Sequence, residues 1–233
     1  MNAHELLMAG DYRAAVDACS KSLAKQPDMI AYNERAAAYL HLNDYDRALA
    51  DYAVAGYLDC ADSTVGDYGY KHVAAVLWLK RAYTVAAALW SHTVGQMLKG
   101  RFTHSDMAGG VQCGCLLWFA GAGLSKAELR EAAEELLVRK LKKRNNSLWP
   151  APVAAFLCGQ ITEDELRGTV TSTPILRERQ ACQAEFYVGA HALSLGNGER
   201  ALAAFRAASR LTKGSIEIEY FLAGHEIENP EPR

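Results

Sequence analysis

The sequence has few prolines and no excess of either charge. Only 6 prolines occur in 233 residues, at positions that read as helix boundaries, so long uninterrupted helices are permitted. Lysine and arginine number 25 against 27 aspartates and glutamates, a formal net charge of -2. That balance gives no electrostatic reason to expect nucleic acid or an anionic membrane as ligand. The opening MNAHELLMAGDYRAA lacks a basic region followed by an apolar stretch and a small-residue cleavage site. No secretory leader is therefore expected, and a cytoplasmic location is. Catalytic signatures are missing as well: no HExxH, no Walker A loop, no GxSxG elbow and no dinucleotide-binding GxGxxG. No stretch reads as a convincing strand.

Two sparse features need a reading of their own. The 6 cysteines, Cys19, Cys60, Cys113, Cys115, Cys158 and Cys182, are scattered among apolar residues. A core of this size needs no staples, so buried free thiols are expected rather than a disulfide framework. Charge is absent from Met107 to Ser125, a length approaching a bilayer span. The glycines in that run and Gln112 favour a core helix buried on most sides, and the Gly110/Gly114 spacing would let two helices approach closely.

What is present is helical. Half of the residues are hydrophobic and 22% charged, and alanine, the best helix former, is abundant. The chain also repeats itself. GDYRAAVDACSKSLAKQPD, from Gly10, aligns with NDYDRALADYAVAGYLD, from Asn43, placing Asp11-Tyr12 on Asp44-Tyr45 and Ala15 on Ala48 at an offset of 33 residues. RAYTVAAALW, from Arg81, and GNGERALAAFRAA, from Gly196, are looser copies. Each unit reads as helix, tight turn, helix. Tyr32, Ala36, Tyr39 and Leu40 make one apolar face of the second unit, and Ala48, Leu49, Tyr52 and Ala55 the other, at the spacings of the helical period. Neither helix can bury its face alone, so stacking is obligatory.

The order of aromatic, small residue, turn Gly-Asp-Tyr, alanine, aromatic and Pro27 resembles the tetratricopeptide repeat, over Met1–Cys60, Asp67–Gly100 and Ala181–Lys213. The resemblance implies an all-α superhelix of helical hairpins, with non-repeat helices in the middle, and a protein-binding role. The units expected are two in residues 1–60, a divergent third in 61–100, a non-repeat segment in 101–174, and a last unit with an end helix in 175–233. In the middle segment, a helix is expected from Thr103 to Leu124. Ser125 should cap the next, with Glu128 completing a capping box. That helix would bury Leu129, Ala132, Ala133, Leu136, Leu137 and Leu141 and end in the basic run Arg139–Arg144. A short helix from Pro150 should stop at Gly159, with Thr162 and Glu165 capping another. Trp149-Pro150, Phe156-Leu157, Gly159, Ile161, Glu163, Leu166, Glu185-Phe186-Tyr187, Gly189 and Leu195-Gly196 together resemble the C-terminal half of the NlpI-type bacterial lipoproteins. Those are tetratricopeptide adaptors that dimerise and present targets to a protease. From this sequence the family's lipid-attached signal is not expected.

No residues suggest a metal or a cofactor. The seven histidines have no ligand spacing, and Cys113 and Cys115 point to different sides of a helix. His191 reads as a core histidine. Glu134-Glu135 and Glu163-Asp164-Glu165 read as capping or solvated carboxylates rather than a glycosidase pair. The basic run Arg139–Arg144 fits a helix C-terminus and has no interleaved aromatics for nucleic acid. Catalysis is therefore not expected. By alignment to the repeat, the groove that would take a protein or peptide partner is lined by Asn33, Ala37, Leu40 and His41, then Lys71, Ala75 and Trp78, then Phe186, Ala190 and Leu193. Asn33 could bond a peptide backbone and Lys71 a carboxylate. Trp78 could instead pack between repeats, and Lys71 could be an ordinary solvated residue. Two other roles stay open: a self-associating homodimer, and an enzyme with an unrecognised helical site.

Overall fold

A computed structural model describes residues 1–62, 68–102, 107–142, 148–211 and 216–230. Among the described residues the chain is all α-helical, in thirteen helices. They are α1 (Ala3–Met8), α2 (Tyr12–Leu23), α3 (Met29–His41), α4 (Tyr45–Asp62), α5 (Tyr68–Leu79), α6 (Tyr83–Leu98), α7 (Val111–Gly123), α8 (Ala127–Leu141), α9 (Ala151–Leu157), α10 (Glu163–Gly168), α11 (Pro174–Ser194), α12 (Gly198–Ser209) and α13 (Ile218–Glu228). Consecutive helices pack in pairs: α1 with α2, α3 with α4, α5 with α6, α7 with α8 and α11 with α12. No helix among the described residues is long and apolar enough to cross a membrane.

One turn closes all five pairs. In each, a residue with positive φ follows the first helix: Gly10, Asn43, Arg81, Ser125 and Gly196. In the second pair the Asn43 amide donates to Leu40 O at 3.0 Å and the Asp44 amide to Tyr39 O at 2.9 Å. This is the double bond of the Schellman motif, which satisfies carbonyls that would otherwise be left over. In three of the five pairs the next residue then caps the second helix. Side chains of Asp11, Asp44 and Asn197 accept from the amides of Ala14, Arg47 and Arg200. The turn occurs in α7–α8 too, where the Ser125 amide donates to Ala122 O and the Lys126 amide to Gly121 O.

That finding corrects one expectation. Ser125 does not cap α8; it takes the left-handed position that ends α7, and Lys126 precedes α8 without a side-chain cap. The backbone bonds ending α7 compete for the residue and win. The helix expected from Thr103 begins at Val111, behind Gly110 at φ 90°; residues 103–106 lie outside the described ones, as do Lys143 and Arg144 of the basic run. The box at Thr162 and Glu165 forms, and Gly159, at φ 68°, follows α9.

Packing rests on small residues at crossings. A Cβ on Gly114 would lie 2.6 Å from Leu137 Cδ2, and one on Gly189 2.7 Å from the Phe205 ring. α7 is buried around nearly its whole circumference, from Val111 to Ala122, which accounts for its lack of charge. Aromatics join the pairs through the core: Trp78 on Phe119 at 4.8 Å, Phe119 on Phe186 at 4.9 Å, Phe186 on Phe205 at 5.6 Å. Finally, α13 turns back from α12 and packs against α11 and α5.

Candidate functional site

Asp28 starts α3 by accepting from the Ala31 amide at 2.8 Å, and that start orients Asn33 and Ala37 toward a gap beside α1. The gap is a cleft of about 400 Å³ between α1, α3, the α4–α5 pair and the segment entering α13. Its lining includes the apolar Leu7, Met29, Ile30, Ile216 and Ile218. Ile30 is 60% exposed. It also includes the polar Asn33, Lys71, Gln112, Arg179 and Glu217. One wall is the stacked pair Tyr52–His72, with centroids 4.8 Å apart. Another is His4 against Glu34 at 3.3 Å.

The polar residues are organised by burial. Lys71 is 3% exposed, and its Nζ donates to Gln112 Oε1 at 2.9 Å. Gln112 Nε2 donates to Glu219 Oε1 at 2.9 Å, and the Tyr187 hydroxyl donates to the same oxygen at 3.1 Å. Glu217 pairs with Arg179 and accepts from Gln183 Nε2 at 3.2 Å. Burial pushes the Glu217 carboxyl above the ordinary range, and Arg179 opposes that rise. Burial also raises Glu34, against the pull of His4. Asn33 Oδ1 is buried without a hydrogen-bond partner among the described residues. An unmet buried acceptor costs about 1–3 kcal/mol, so a ligand donor placed there would relieve it.

Little here activates a nucleophile. Burial raises the thiols of Cys19 and Cys158 to about 11 and Cys182 well above the usual value, which leaves them protonated at neutral pH. Five cysteines are free, and the Cys60 side chain lies outside the described residues. Among the described residues no three His, Cys, Asp or Glu side chains are grouped to hold a metal ion. His191 stacks on Trp118 and meets Phe156 at a tilt of 57°, and burial lowers its pKa. Glu134 accepts from Trp118 Nε1, and Glu163 binds Arg167 and Arg200. Arg139 and Lys140 donate to the carbonyls of Leu98 and Gly109.

Of the residues expected in a groove, Asn33, Ala37 and Lys71 come together in the cleft. His41 lies beside it in the stack, face to face with Tyr12 at 4.0 Å and edge-on to Phe221 of α13 at 4.7 Å. Leu40, Ala75, Trp78 and Phe186 are corrections: each is at most 1% exposed. They point into the core because aromatic and small side chains at these spacings fill the contacts between helix pairs. Ala190 is likewise buried, while Leu193 lines a different cavity beside Ser125. Gln112, Arg179 and Glu217 escaped the sequence reading because they arrive from three separate elements. The one local signal was Ile216-Glu217-Ile218-Glu219, an apolar–acidic alternation that has no place in a helical repeat. No protein-family profile matches the chain, and no curated protein matches it.

Proposed function

We propose that this chain is a non-catalytic binding scaffold of tetratricopeptide type, and that the cleft beside α3 takes a peptide segment of a partner protein. The observation that carries the reading is the make-up of the cleft: apolar and polar side chains line it together, and one of them, Asn33, holds an unmet acceptor. Its volume suits a few side chains, and apolar walls with few convergent polar groups are the usual form of a binding site. An extended peptide offers backbone N–H groups for Asn33 and apolar side chains for Leu7, Met29 and Ile30. The resemblance to cytoplasmic helical-hairpin scaffolds and to bacterial adaptor proteins supports the same reading. So does the protonated state of the buried thiols, which removes the obvious nucleophiles.

The test is direct. Peptides selected from a displayed random library against the chain are measured on wild type and on an Ile30→Glu/Asn33→Ala variant. Loss of both contacts should weaken binding by at least about tenfold, or about 1.4 kcal/mol. Equal affinity in a variant with unchanged helical circular dichroism overturns the assignment of the cleft.

A further inference from the structure

α13 is held in an unusual way for a core helix. Its buried positions are Ile218, Glu219, Leu222, Ala223, His225 and Glu226. Glu219, Leu222, Ala223 and Glu226 fall at i, i+3, i+4 and i+7, a single helical face. That face is apolar in the middle and acidic at both ends. Glu219 is 0% exposed; Gln112 of α7 and Tyr187 of α11 donate to it, while its Oε2 has no hydrogen-bond partner among the described residues. Glu226 accepts from Trp78 Nε1 of α5 at 2.9 Å. Glu217, just before the helix, takes Arg179. Arg81 donates to Asn229 just after it, and His41 of α3 meets Phe221.

Besides α12, which precedes it, α13 lies on α11 and α5, with Gln112 of α7 and His41 of α3 reaching its face, so the first helix of four pairs contributes to the surface beneath it. It offers donors and cations, and α13 answers with carboxylates. Elsewhere small residues and aromatics make most helix contacts, with single polar ties such as Arg35–Asp51; α13 is tied at both ends of its buried face. This contact is closer in character to an interface between molecules, polar and recognised by charge. Buried carboxylates also weaken such a contact relative to an apolar one, because their desolvation is only partly offset. A helix held this way is suited to leaving.

We propose that the trough formed by α3, α5, α7 and α11 is a receptor for an acidic amphipathic helix, that α13 is its resident ligand, and that a partner protein binds by presenting a helix with the same face, Glu-x-x-Leu-Ala-x-x-Glu, in its place. The trough adjoins the cleft and shares Gln112, Arg179 and Glu217 with it. The two assignments are read by different probes, a selected extended peptide for the cleft and the α13 helix for the trough, so either can fail alone. Lodging an amphipathic helix in a groove by anchors at i, i+3, i+4 and i+7 is an established form of recognition. Being tethered, α13 competes at an effective concentration of the order of millimolar. An outside helix must win against that, which sets a threshold on affinity.

The probe is a fluorescent peptide of residues 216–230, added to the full chain. Leu222→Ala in the chain loosens the resident helix and should tighten peptide binding at least tenfold (~10×) over wild type, since the competitor is weakened. Glu219→Ala/Glu226→Ala in the peptide should weaken it by about as much. No saturable binding to a folded Leu222→Ala chain overturns the proposal. Hydrogen exchange on wild type decides independently of any variant: α13 amides should be protected at least about 100-fold less than those of α5 and α7, as in a sub-global opening. Equal protection overturns it. A concentration-dependent dimer that the peptide dissolves would assign the trough to a second copy of this chain and overturn the partner.

Discussion

Arg35 ties three helices with one side chain. Its Nε and Nη2 donate to the two oxygens of Asp51 at 2.7 and 2.8 Å, and its Nη1 donates to Ser20 at 3.0 Å. Asp51 is 6% exposed, and the hydrogen bond to it raises the guanidinium pKa. Removing the carboxylate strands a largely buried cation. Asp51→Ala should lower stability by about 3 kcal/mol in urea unfolding; a loss under about 1 kcal/mol would mean water replaces the partner easily. Gly189 makes a second residue-scale case. Ala there would place its Cβ 2.7 Å from the Phe205 ring and 3.2 Å from Ala201 O. Gly189→Ala should cost about 1–3 kcal/mol, since neither the ring nor the backbone yields freely. Arg35 did not stand out in the sequence, and Gly189 did so only within the resemblance to the NlpI-type proteins. Charge pairing between Arg35 and Asp51 depends on how α3 and α4 are rotated, and the need for Gly189 depends on where Phe205 arrives.

At the scale of elements, the repeated turn was largely legible. The Asp11/Asp44 match marks the capping residue of α2 and α4, and Asn197 does the same for α12. The loose third copy shows why it looked loose: Arg81 and Ala82 occupy the positions of Asn43 and Asp44. Arg81 adopts φ 62° without being glycine, and Ala82 cannot cap α6. Ala82→Asp should therefore supply the missing cap and stabilise the chain by about 1 kcal/mol, read as a rise in Tm. No rise would mean that the Ala82 backbone does not present a capping oxygen to α6. Ser125 was misread for a related reason. A serine followed three residues on by Glu128 looks like a cap, but a left-handed residue closing α7 looks the same in sequence. Ser125→Gly should be neutral or stabilising by up to about 1 kcal/mol, because glycine takes positive φ without strain. A true N-cap serine would lose stability instead.

At the scale of the whole molecule, α13 packs against helices far from it in sequence, and Glu217, just before it, makes that connection depend on pH. Burial raises the Glu217 pKa above its unfolded value. A raised carboxyl favours the folded state below the unfolded pKa, near 4.3 for glutamate, and that contribution is lost as pH rises through the folded pKa. Glu217→Gln does not titrate. The stability of wild type relative to this variant should therefore fall between pH 4 and pH 7 in denaturant melts. A difference that stays level over that range and grows only below about pH 4.3 would show that Arg179 outweighs burial and holds the carboxyl below its ordinary value. His191 acts in the opposite sense. Its lowered pKa adds stability above the unfolded value that is lost on acidification, and the Glu217 comparison cancels it.

The sequence by itself determined that the chain is helical, that helices come in pairs, where most pairs turn, and which stripes are apolar. Those properties follow from local periodicity and from residues a few positions apart. The tertiary structure alone decided which side chains share a cleft and which vanish into the core. Trp78 and Phe186 carry the spacing of groove residues but fill gaps between pairs, while Gln112, Arg179 and Glu217 meet from three distant segments. It also decided where the last helix goes. The acidic face of α13 has meaning only against the donors of α5, α7 and α11, and a match between surfaces so far apart along the chain leaves no trace in the local pattern of either one.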